Sequence, residues 1–180
     1  MGSVQIRRKT GSGPTATDIT SINTRMNAED THSTAGTSNP IRVPTTGTNY
    51  SYWATAQLYY TGTAIGTINN LEWFTDGANG LGTGVTLVVS PANSYVEATG
   101  TPGTTGTQLL LAAHAGLTGT PTNAFAYVTG AALALGGSVT DPSSQDVGSA
   151  VVLQVEVASA AAAGATPQET MTFRYDSTIS

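Results

Sequence analysis

Tyr50-Ser-Tyr-Trp-Ala-Thr-Ala-Gln-Leu-Tyr-Tyr60 decides the fold class. Its even positions, Tyr50, Tyr52, Ala54, Ala56, Leu58 and Tyr60, are all apolar or aromatic. The odd positions carry Ser51, Thr55 and Gln57, with Trp53 and Tyr59 as exceptions. Alternation of this kind belongs to a long β-strand with one buried face. The same reading applies downstream to residues 68–75, 84–90, 94–99, 107–113, 123–129, 150–158 and 170–176. In the last two, Leu153, Val155 and Val157 oppose Gln154 and Glu156, and Met171, Phe173 and Tyr175 oppose Thr172, Arg174 and Asp176. Turn chemistry separates these runs at Thr75-Asp-Gly77, Ser90-Pro91, Thr101-Pro-Gly103 and Thr140-Asp-Pro142. Ala131 to Leu135 has helical propensity, but Gly136-Gly137 ends it after one turn. Eight short strands and no long helix predict an all-β antiparallel sandwich, jelly-roll-like in its simplest form.

Ahead of this body, residues 1–47 read as an extended basic N-terminal arm, which leaves residues 48–180 as the sandwich. Gly11-Ser-Gly-Pro14 and Thr34 to Pro40 are flexible breaks, and Ile19, Ile22 and Met26 support one helical turn at most. The arm carries Arg7, Arg8, Lys9, Arg25 and Arg42 against Asp18, Glu29 and Asp30. From Val43 to Phe173 there is no Lys or Arg, while seven acids occur. A cationic leader ahead of an acidic body suggests that the leader engages an acidic surface. It also argues against nucleic-acid binding by the body, because phosphate neutralisation needs bases that are missing there.

Only 9 % of the chain is charged, against about 25 % in ordinary domains. Thr, Ala and Gly take the place of the charges, and surfaces close to neutral tend to associate. Cysteine is absent, which excludes disulfides, thiolate nucleophiles and cysteine metal sites. No secretory pattern and no apolar run of about 18 residues is seen, so no membrane association is expected.

Catalytic patterns fail one by one. His32 and His114 have no ligand or carboxylate at useful spacing. Glu72 and Asp76 flank Trp73-Phe74, but Asp76 belongs to an Asp-Gly turn, unlike a hydrolase acid pair. The glycine-rich run from Gly77 to Gly84 is followed by neither a lysine nor a helix pattern, so it is no phosphate loop. The scattered carboxylates form no calcium loop. Neither enzymatic activity nor a cofactor is expected. The aromatic cluster at Tyr52 and Trp53 reads as core plus an inter-subunit face.

Several runs resemble a family of structural proteins of tailed bacteriophages: Asn23 to Thr31, Asn39-Pro-Ile-Arg-Val-Pro44, Gly47 to Trp53, Ile68 to Gly77 and Thr170 to Asp176. The resemblance implies a virion component assembled in the host cytoplasm, a capsid cement or decoration protein with a β-sandwich. Its partners would be the major capsid protein or other virion subunits, in a symmetric homo-oligomeric arrangement. Arg7, Arg8, Lys9, Arg25, Arg42, Tyr52 and Trp53 are the expected partner-binding residues. The alternatives are a tail or extracellular filament protein, and a carbohydrate-binding sandwich that stacks sugars on Trp53 or Trp73.

Overall fold

The computed structural model describes residues 2–34, 38–109 and 114–180. Its strands are β1 (Val4–Thr10), β2 (Thr15–Asp18), β3 (Thr48–Tyr50), β4 (Ala54–Thr63), β5 (Thr67–Thr75), β6 (Val85–Ala92), β7 (Gly100–Thr101) and β8 (Thr105–Gly106). They continue with β9 (Thr122–Asn123), β10 (Leu133–Ala134), β11 (Val139–Thr140), β12 (Ser143–Ala158) and β13 (Met171–Ser177). Seven strands form one sheet in the order β2-β1-β4-β12-β6-β9, with β3 also paired to β12. A four-stranded sheet is built on β5, with β10 and β11 along one edge and β13 along the other. Every named pairing is antiparallel.

The two sheets enclose one apolar layer, so the chain is an all-β sandwich. Ala54, Ala56 and Leu58 of β4 and Val151, Leu153 and Val155 of β12 face Ile68, Leu71 and Trp73 of β5. Trp73 is fully buried and meets Tyr127 edge-on, with centroids 6.4 Å apart, in the geometry aromatic pairs prefer. The sheets are unequal, seven strands over four. The jelly-roll expectation is therefore carried only as far as the sandwich itself.

The leading residues depart from the expected arm. Val4 to Lys9 pair with Tyr60 to Thr55 of β4, and Arg7 to Thr10 pair back with Asp18 to Thr15. The supposed arm and body therefore share one sheet across the expected boundary at residue 47. The physical reason is alternation. Val4 and Ile6 lie against the core while Gln5, Arg7 and Lys9 point outward, which is a strand pattern hidden beneath a basic composition. Residues 19–34 and 38–47 are irregular and lie against the sandwich, held by backbone bonds such as Ala28 N to Asn39 O and Tyr52 N to Asn27 O.

Other expectations need adjustment. Residues 94–99 form no strand but cross the outer face of the large sheet with Val96 and Ala98 buried. Residues 123–129 contribute only β9 and a 3-10 turn at Ala124–Ala126, capped by Asn123 Oδ1 accepting from Phe125 N. The run at 131–135 supplies β10 rather than a helical turn. Of the candidate strand 107–113, residues 110–113 lie outside the described residues. β12 extends seven residues earlier than its alternation shows, because a bulge between Val147 and Val151 shifts the phase.

Candidate docking surface

The surface is best built from the cations, because the sequence points to them. Arg7 stacks its guanidinium 3.4 Å from the Tyr59 ring centroid and donates twice to Gln5 Oε1. Lys9 donates to Gln57 Oε1 and forms an ion pair with Asp146 at 2.5 Å. Both side chains are committed to the outer face of the large sheet. Arg174 is committed likewise, to Glu72 at 2.5 Å on the small sheet.

Arg8 is the correction that matters most. It stands in the inward phase of β1, opposite Ala56, and is 1 % exposed. Its Nη1 donates to Thr24 Oγ1 at 2.6 Å and to Arg25 O at 2.5 Å. Burial pushes its pKa down to about 10, while the negative charge of Asp30 and the Tyr95 phenol pull it back up; the group stays charged at neutral pH. Asp30 Oδ2 accepts from Gly11 N and from the Tyr95 hydroxyl. Burial and Asp30 in turn raise the Tyr95 pKa. Arg8 thus ties β1 to the irregular layer 24–30 and offers nothing to a partner.

Tyr52 and Trp53 are also withdrawn from any surface, at 4 % and 2 % exposure. Trp53 Nε1 donates to Thr107 O, and its ring meets His114 edge-on at 5.3 Å. Trp73 is fully buried. Sugar stacking on Trp53 or Trp73 would require unfolding the core around them.

Arg25 and Arg42 remain exposed. Arg25 Nε donates to Thr34 O and its backbone N to Ser33 O, and Arg42 O accepts from Asn49 Nδ2, so both backbones are held. They share the layer of residues 19–34 and 38–47 with Ile22 and Val43, which are 45 % and 36 % exposed. Asn39 and Glu29 add a side-chain bond within the same layer. Arg25 near Ile22 in sequence, and Arg42 next to Val43, are thus two exposed cation–aliphatic pairs on an otherwise weakly charged layer.

What the sequence reading missed is the polar fastening beneath the crossing segments. Ser51, Thr55, Gln57, Ser90 and Gln154 occupy polar phases of their strands, yet all are buried. Thr55 donates to Val96 O, and Gln154 bonds to Leu109 N, Ser51 O and Thr107 O. Unbroken burial of the stretch 51–58 gives no hint in a composition-based reading. Gln57 and Gln154 have both amide atoms in use, as buried polar groups require, and that burial shows only in the folded chain.

Among the described residues no group of three or more His, Asp or Glu stands where it could hold a metal ion. Glu72 is taken by Arg174, and Asp76 Oδ1 accepts from Ala78 N as a turn residue. No helix of the described residues is long and apolar enough to cross a membrane. No protein-family model, curated protein or solved structure matches the chain.

Proposed function

We propose that the chain is a structural component of a tailed-bacteriophage virion, a cement or decoration protein that stiffens the head shell. The observation that carries the docking mode is the segregation of the leading cations: three of five are used inside the fold, while Arg25 and Arg42 stay exposed beside Ile22 and Val43. The contact would be a preformed face made by residues 19–34 and 38–47. A preformed face loses less conformational entropy on binding than a flexible arm does. Arg25 and Arg42 would orient it on acidic shell subunits, and many weak contacts on a symmetric lattice would add up to stable attachment.

The test is binding of purified protein to heads assembled without it, measured by co-sedimentation. The double variant Arg25→Glu, Arg42→Glu should bind about tenfold more weakly or worse, in line with the few kcal/mol that complementary rim charges govern. Unaltered occupancy by the double variant overturns the docking mode. Failure of the wild-type protein to bind any head overturns the function.

A further inference from the structure

We propose that β13 is a self-pairing edge, through which two copies of this chain join their small sheets about a two-fold axis at Tyr175. Exposed strand edges are normally kept short or blocked, because their free N–H and C=O groups recruit other strands. The remaining edges here follow that rule: β2 has four residues, and β9, β10 and β11 have two each. β13 has seven, MTFRYDS, with neither Pro nor Lys.

The direction of its backbone groups follows from β5. Leu71 O accepts from Leu135 N and Thr75 N donates to Tyr127 O, so between Leu71 and Thr75 the odd residues of β5 turn their backbone toward the β10 side; past the register irregularity that follows, Thr67 O accepts from Thr178 N instead. The even residues Glu72 and Phe74 therefore bond to Arg174 and Thr172 of β13. Met171, Phe173 and Tyr175 then aim their N–H and C=O groups away from β5. Among the described residues no partner receives them.

The choice of occupant rests on charge. In an antiparallel self-pairing, only residues of the same parity as Phe173 can exchange hydrogen bonds across the edge. Three central registers satisfy this. One sets Arg174 against Arg174 of the second copy, and one sets it against Thr172. The third, centred on Tyr175, sets Arg174 against Asp176 twice, once on each side of the axis. Opposite charges directly across a strand pair stabilise it and like charges destabilise it, and an isologous contact uses each such pair twice. Arg174 and Asp176 are exposed on the outer face, already flanked by Glu72 and Asn70. The flank below the edge is also incompletely filled. Val4, Tyr60, Tyr175 and Ile179 help line a cavity of about 270 Å³ there, and the Tyr60 hydroxyl is buried with no hydrogen-bond partner among the described residues. A second β13 continuing the small sheet would carry its own Phe173 and Tyr175 on the side that faces this flank.

This pairing is independent of the virion reading, since dimerisation and shell binding can each fail alone. Sedimentation velocity at tens of micromolar should give twice the 18.2 kDa of one chain. Arg174→Asp and Asp176→Arg should each dissociate at least tenfold more readily. Mixed in equal amounts, they should recover a heterodimer, because every cross-strand pair is then again of opposite sign. Arg174→Asp also breaks the bond to Glu72, so each variant is melted to verify folding; Asp176→Arg keeps that bond. Amide hydrogen exchange in the wild type provides a readout free of mutation: Phe173 and Tyr175 should be protected at high concentration and lose protection on dilution. A wild-type chain with the mass of one copy, variants as dimeric as the wild type, a mixture that stays monomeric, or unprotected Phe173 and Tyr175 amides each overturn the proposal.

Discussion

Gln154 shows how single side chains hold this fold together. It is fully buried on the outer face of β12, and its amide serves Leu109 N, Ser51 O and Thr107 O at 2.6, 2.7 and 2.9 Å. Gln154→Leu keeps the volume but strands two backbone groups, Leu109 N and Ser51 O, while Thr107 O still accepts from Trp53 Nε1; each stranded group costs about 1–3 kcal/mol. A loss of roughly 3 kcal/mol in urea unfolding is expected after partial relaxation; a loss within experimental error would show that the crossing segment is not fastened there. Gly148 is a second such point. Its φ is +65°, and a Cβ would lie 2.6 Å from Leu71 Cδ2 and 2.8 Å from Gly136 O. Gly148→Ala should therefore cost about 2 kcal/mol or more in the same assay. Titration has a definite sign too. Burial, and then the charge of Arg8, lower the His32 pKa from its ordinary 6.5, so the unfolded chain takes up a proton first as pH falls. Hydrogen bonds from Thr20 lower the Asp18 pKa below its ordinary 3.8, so its stabilisation is present above that value and lost below it. Stability should fall in both windows on acidification from pH 7. Melting temperatures across pH 7 to 3 test this, and His32→Ala should flatten only the upper step.

At the scale of elements, the central strands were legible because their alternation is clean. β5, β6 and β13 lie within two residues of their expected bounds, and the apolar phase of β12 is the one that faces the core. β1 was not legible. Its Val4 and Ile6 mark an apolar phase, but Arg8 interrupts it, and a buried arginine is rare enough that a basic run reads as solvated. The polar phases of β4 and β12 misled in the opposite sense. Thr55 and Gln154 look solvent-facing until segments 94–99 and 107–109 are laid over them, and such coverage depends on contacts distant in sequence. The candidate surface was half visible: Arg25 and Arg42 were named, while Arg8 follows the inward phase of Val4 and Ile6, and Tyr52 and Trp53 are buried in a cluster completed by Val96, Ala98 and Leu109, which are distant in sequence. One consequence belongs to β1 itself. Deleting residues 2–18 removes β1 and β2 and exposes the edge of β4 along with Leu58 and Ala56. The truncated chain should lose cooperative unfolding in a thermal melt. A sharp transition near the wild-type temperature would show that the leading hairpin is dispensable.

As a whole molecule, the chain is a sandwich whose large sheet is covered on both faces, inside by the small sheet and outside by crossing segments. A surface with few charges suits repeated association. If Arg25 and Arg42 guide attachment, binding to heads should weaken as salt rises, because exposed charges are screened beyond about 10 Å at 0.1 M. Salt-independent attachment would place the contact elsewhere. The docking mode requires Val4–Thr10 to be an integral strand that holds the docking layer, in place of a tether. Amide hydrogen exchange of the free protein, read across residues 4–10, addresses this directly. The account predicts protection comparable to that of β4; exchange at the rate of an unstructured peptide, with β4 still protected, would contradict it.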